Sequence, residues 1–181
     1  MKRLVLICLG LALLVAAASA ANVTLSVQSQ TVASGGTATV PIAIAGASSI
    51  GAMDLTVTYD PAVLAFVEAK TGALSTNGMV QANGTTPGTV RIAFVDSAGI
   101  NGDGVILTLA FTSKGANGAS SKVDLVSRGV YNLDRVDVPV TTAGGTVTIG
   151  SGGKSPLPAG IAIVALFGAG FVAAGRRKRR G

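Results

Sequence analysis

Apolar and polar residues alternate along most of the chain. Every second side chain is apolar in five runs: Val23, Leu25, Val27; Val40, Ile42, Ile44; Met53, Leu55, Val57, Tyr59; Val90, Ile92, Phe94; and Val105, Leu107, Leu109, Phe111. Successive side chains of an extended strand point to opposite faces, so this period of two predicts half-buried β-strands. The segments "KVDLVS", "VDVPVT" and "GTVTIG" predict three more. Turn-forming clusters separate them: "ASGG", "DPAV", "STNG", "TTPG", "INGDG", "KGANG" and "TAGG", of which "INGDG" reads as a hairpin turn. No long helical pattern intervenes, and no internal repeat. Eight or nine short strands at this spacing predict an all-β domain, a two-sheet antiparallel jelly-roll sandwich of about nine strands over residues 21–150, with an immunoglobulin-like sandwich as the alternative.

The two ends follow a different rule. Lys2 and Arg3 precede an apolar run, Leu4 to Ala18, which closes on the small-x-small site Ala18-Ser19-Ala20. This predicts a secretory signal peptide over residues 1–20, the other reading being an uncleaved anchor. Cys8, the one cysteine, lies inside that run. A mature protein starting at Ala21 therefore has no thiol and no disulfide. At the far end, Leu157 to Gly175 carries no charge and is long enough to span a bilayer as a helix, joined to the domain by a linker, residues 151–156. The basic tail, residues 176–181, begins directly after it, and cations beside a span stay on the cytoplasmic side. The expected topology is a membrane-anchored β-domain outside the cell with a cytoplasmic C-terminus. The series "SPLPAG", apolar run and basic tail also resembles the C-terminal sorting signals cleaved by archaeosortases and exosortases, which implies cleavage near that motif and re-anchoring at the surface. It departs from the sortase motif, with Ala159-Gly160 where Thr-Gly would follow one further residue.

Charge changes the picture only once it is divided by position. The net charge of +6 comes from the ends; residues 21–150 hold six cations against all eight carboxylates. A mildly acidic domain lacks the basic face that phosphate binding needs, so no nucleic-acid partner is expected. The absence of histidine, together with a thiol-free mature chain, excludes histidine-dependent triads, His/Cys zinc sites and thiol nucleophiles. Asp96, Asn101 and Asp103 do not match the spacing of a calcium loop. No enzyme activity, metal or cofactor is expected of this chain.

One segment carries more than its period. In "IGAMDLTVTYDPAVLAFVEAK" a strand stops at Tyr59-Asp60-Pro61, where Asp60 can bond its own turn and Pro61 fixes φ, and the chain re-enters a sheet through Val63, Leu64 and Phe66. With "VASGGTATVPIAIAGASSI" before it and "GTVRIAFVDSAG", "NGDGVILTLAFTSKG" and "VDVPVTTAGGTVTIG" after it, in that order, this segment resembles the cohesin domain over nearly all of residues 21–150. The resemblance implies a nine-stranded jelly roll that docks a dockerin, a small module whose calcium belongs to the dockerin and not to this chain. The alternatives are a structural surface or adhesion protein and a carbohydrate-binding module that would engage polysaccharide. Such modules stack sugar rings on exposed aromatics, and only Tyr131 reads as free for that.

The candidate face follows from the alternation. With Met53, Leu55 and Val57 inward, Ala52, Asp54 and Thr56 point outward; with Phe94 inward, Arg91, Ala93 and Val95 do so. The resemblance implies that these two strands belong to the partner-binding sheet. Asp54 matches a contacting Asp, Ala93 an apolar contact, Asp96 an outward acidic contact and Gly99 a loop glycine. Ala52 stands where the family has a hydrogen-bonding Asn. Two sequons, Asn22-Val23-Thr24 and Asn83-Gly84-Thr85, are candidate glycosylation sites.

Overall fold

The computed structural model describes residues 22–150. The signal peptide, linker, span and basic tail expected from the sequence lie outside the described residues. Among the described residues no helix is long and apolar enough to cross a membrane. Nine strands run in order: β1 (Val23–Val27), β2 (Gln30–Ala33), β3 (Thr37–Tyr59), β4 (Leu64–Thr71), β5 (Met79–Asn83), β6 (Thr89–Ser113), β7 (Ser120–Asn132), β8 (Val140–Ala143) and β9 (Gly145–Gly150), with one 3₁₀ turn at Ala73–Ser75.

The expectation of uniformly short strands fails at β3 and β6, which are 23 and 25 residues long. They pair antiparallel from Thr37↔Thr112 to Thr58↔Thr89, with register shifts between Ile42 and Ala52. Gly46, Ser49, Gly99 and Gly102 take positive φ in this corner. Extra residues and left-handed conformations bend a ladder without ending it. The segment "INGDG" is therefore not a hairpin turn but part of this corner. Asp103 Oδ1 accepts from Gly46 N at 2.6 Å and Asn101 Oδ1 from Ser49 N at 2.9 Å, replacing ladder bonds where the strands diverge.

Because the β3–β6 ladder bends, each strand serves both sheets. One sheet runs β5, the first half of β6, the second half of β3, β7, β9 and β2; the other runs β4, the second half of β6, the first half of β3, β1 and β8. The pairs β1–β8 and β2–β9 are parallel, so strands from the two ends of the domain close it together. The "VDVPVT" strand is shorter than expected: only Val140 onward pairs, and Asp137 makes an isolated bridge to Tyr131. Pro139 between them has no N–H to give a ladder.

Between the sheets the alternation holds. Leu25, Val40, Ile42, Leu55, Val57, Phe94, Leu109 and Phe111 are fully enclosed. Phe111 is the centre of an aromatic group, with the rings of Tyr59 at 5.0 Å and Phe66 at 5.8 Å, both edge-on. Val105 departs from its expected place: it is half-buried, while Ile106 and Leu107 are both buried at the register shift. At Tyr59-Asp60-Pro61 the chain turns as predicted. Asp60 Oδ1 accepts from Ala62 N at 2.8 Å, and its backbone carbonyl accepts from Leu64 N at 2.9 Å, returning the chain to β4.

Candidate functional site

The pairing of β5, β6, β3 and β7 places the predicted residues on one outward face in three rows. Gln81, Ala93, Asp54 and Gly129 are paired across the four strands in the middle row. Asn83, Arg91, Thr56 and Val126 form the row on one side; Met79, Val95, Ala52 and Tyr131 form the row on the other. Rows on one face are two residues apart, about 7 Å along the strands. Ala52, Asp54, Thr56, Arg91, Ala93 and Val95 are thus brought together, as the alternation requires.

Asp96 borders this surface only at its groove end and is almost wholly buried. The expectation that it points outward is wrong: it is 5% exposed, and its Oδ1 accepts from Ala98 N at 2.9 Å. Two residues beyond Phe94, it falls on the inward side of the same period, and its carboxylate holds the turn leading to Gly99. Gly99 has φ +75°, and a Cβ there would stand 2.9 Å from Leu133 Cδ1. A Cβ on Gly51 would meet the other Leu133 methyl at 2.9 Å. These two glycines are the seat of Leu133, whose backbone N–H donates to Ser49 O at 2.9 Å.

The outer row opens into a shallow groove of about 550 Å³, bordered by Ala52, Met79, Val95, Tyr131, Leu133 and Arg135. Met79 is 73% exposed and Val95 51%. The ring of Tyr131 lies back over Gly129. Beside it, Asp54 Oδ2 is 3.9 Å from Arg128 Nε, a loose and solvent-exposed ion pair. Arg91, Arg128 and Arg135, the three arginines of residues 22–150, all border the face or its groove. Thr56 Oγ1 is enclosed and has no hydrogen-bond partner among the described residues.

Met79, Leu133 and Arg135 were missed by sequence reasoning. The alternation in "MVQAN" was a usable signal for Met79, which stands two and four residues from the outward Gln81 and Asn83. Leu133 and Arg135 lie in the loop after β7, where no period applies; Arg135 takes φ 64°, unusual for a side-chain-bearing residue. Among the described residues no group of three or more His, Cys, Asp or Glu side chains converges on a metal position. Both sequon asparagines, Asn22 and Asn83, are exposed.

The cohesin domain family profile matches residues 23–149, and the chain belongs to the cohesin family. Cohesin domains are non-catalytic binding modules. Solved structures agree on the fold. A non-cellulosomal cohesin from the hyperthermophilic archaeon Archaeoglobus fulgidus is similar, with 27% identity and a TM-score of 0.65 over 72% of this chain and 93% of that one. The sixth cohesin of scaffoldin B from Acetivibrio cellulolyticus, solved with a Cel5 dockerin, has 24% identity and a TM-score of 0.64 over 71% of this chain and 99% of that one. The OlpA cohesin from Clostridium thermocellum, solved with a dockerin, has 16% identity and a TM-score of 0.62 over 71% of this chain and 99% of that one. No curated protein matches the chain.

Proposed function

We propose that this domain is a cell-surface docking module that captures a dockerin-bearing partner through the face of β5, β6, β3 and β7. The observation that carries the reading is the row Met79, Val95, Ala52 and Tyr131: four apolar or aromatic side chains on four neighbouring strands, three of them exposed and Ala52 half-buried between Val95 and Tyr131, opening into a groove. A buried apolar centre ringed by polar groups is the usual anatomy of a protein interface. Solved relatives bound to dockerins support the partner class. Any calcium belongs to the dockerin.

Ala52 sets the character of the contact. With no amide at that position, the outer row offers burial rather than hydrogen bonds, and polar recognition falls to Asp54 in the middle row. The arginines around the rim favour a partner with carboxylates flanking an apolar patch, since complementary rim charge steers association and discriminates partners. The single exposed aromatic on the face, Tyr131, does not make the row of stacking platforms that a polysaccharide site uses.

The signal peptide and C-terminal anchor would hold the domain outside the membrane, where a six-residue linker reaches about 20 Å. Pull-down from the surface fraction of the source cells, with calcium and with chelator, tests the function. A dockerin-bearing protein retained only in calcium is the expected result; retention of no such protein counts against it.

A further inference from the structure

Asn83 ends β5 with its side chain exposed, in the sequon Asn83-Gly84-Thr85. Its Oδ1 accepts from Thr85 N at 3.0 Å and from Thr85 Oγ1 at 2.7 Å. The sequon's third residue is thus bonded to its first, and neither contact uses Nδ2, the atom that would be modified. Gly84 between them lies so close to the Phe66 ring that a Cβ would overlap it, which fixes the loop against the edge of the core.

We infer that Asn83 carries an N-linked glycan that covers one end of the docking face. The inference rests on the external location proposed above. In the transfer step Nδ2 attacks the anomeric carbon of a saccharide carried on a polyprenyl phosphate or diphosphate. The N–C bond forms as the C–O bond to phosphate breaks; the lipid phosphate leaves with that electron pair, and the amide proton passes to a base of the transferase. No electron donor or acceptor is required.

The register defines what the glycan covers. Asn83 is opposite Arg91, and Arg91 opposite Thr56. Four residues along β5, about 13 Å away at ~3.3 Å per residue, Met79 borders the groove. A saccharide on Asn83 therefore shields the Arg91 and Thr56 end and leaves the groove open, so docking is confined to the apolar end of the sheet. Asn22, by contrast, precedes β1 in the other sheet, and a glycan there would not touch this face.

Trypsin provides a direct test, because cleavage after Lys70 and Arg91 releases residues 71–91 as one peptide whose only sequon is Asn83. In protein purified from the source cells, mass spectrometry should find this peptide carrying saccharide localised to Asn83. The adduct should disappear in Asn83→Gln and Thr85→Val and persist in Thr85→Ser, which keeps the hydroxyl. An unmodified peptide from a domain found outside the cell overturns the inference while leaving the docking proposal standing. Saccharide retained on Asn83 in Thr85→Val overturns the role given to the sequon. The wild-type peptide alone decides occupancy, whether or not a variant folds.

Discussion

The ring of Tyr131 lies over Gly129, close enough that a Cβ on Gly129 would meet the Tyr131 hydroxyl at 2.8 Å. The glycine is what lets an aromatic two residues away lie flat along the sheet beside Asp54, instead of standing out from it. Gly129→Ala should lift the ring from this position. The domain should lose no more than about 1 kcal/mol, since the clash is with the end of a side chain at the surface. Chemical shifts around Tyr131 should change and partner binding should weaken, while the denaturation midpoint stays near that of wild type. Unchanged shifts would show that the ring does not rest there.

Gly99→Ala is a different kind of change. It places a Cβ at φ +75° and pushes against Leu133. The left-handed conformation alone costs a residue with a Cβ about 1–2 kcal/mol. Urea denaturation should show a loss of at least that size, accompanied by displacement of the groove wall formed by Leu133. Gly99 then acts on the face by positioning Leu133. A variant as stable as wild type would contradict that role.

Phe111 packs against both Tyr59 and Phe66 at the centre of the sandwich. Phe111→Ala should cost about 3–5 kcal/mol, as large-to-small changes at fully buried aromatics do. That is a large fraction of the 5–15 kcal/mol typical of a domain. Guanidinium denaturation followed by far-ultraviolet circular dichroism measures it, and a loss below about 1 kcal/mol would contradict the packing.

Protein recovered from the source cells should begin at Ala21, and external protease should reach residues 21–150 in intact cells. Truncation before Pro156 should release the domain into the medium. An intact Leu4 to Ala18 run, or a truncated form still bound to membranes, would contradict the proposed topology.

The outward placement of Asp54, Ala93 and Val95 was legible in the sequence because a strand with one buried face repeats every two residues, and the alternating valines, leucines and phenylalanines mark that face. The same period puts Asp96 inward with Phe94, so it lines the groove as a buried residue and does not point outward as the resemblance implied. The continuity of β3 and β6 was not legible. Gly46, Gly99 and Gly102 have the composition of loop residues, yet they bend a ladder that continues past them. Nor could the groove be read from the chain, because its wall is made by Leu133 and Arg135 from an aperiodic loop, with Leu133 seated on Gly51 and Gly99, far apart in sequence.

The most direct test of the docking account is the affinity of the domain for dockerin-bearing proteins of the same cells, expressed singly and titrated by calorimetry in calcium. Val95→Glu places a charge in the centre of the apolar row, and Ala52→Lys does the same one strand away. Lys70→Glu on β4, in the other sheet, is the reference. The account predicts one calcium-dependent partner whose binding weakens at least about 30-fold, or about 2 kcal/mol, in both face variants, with melting temperatures held and Lys70→Glu unaffected. A partner that binds Val95→Glu and Ala52→Lys as tightly as wild type would contradict it.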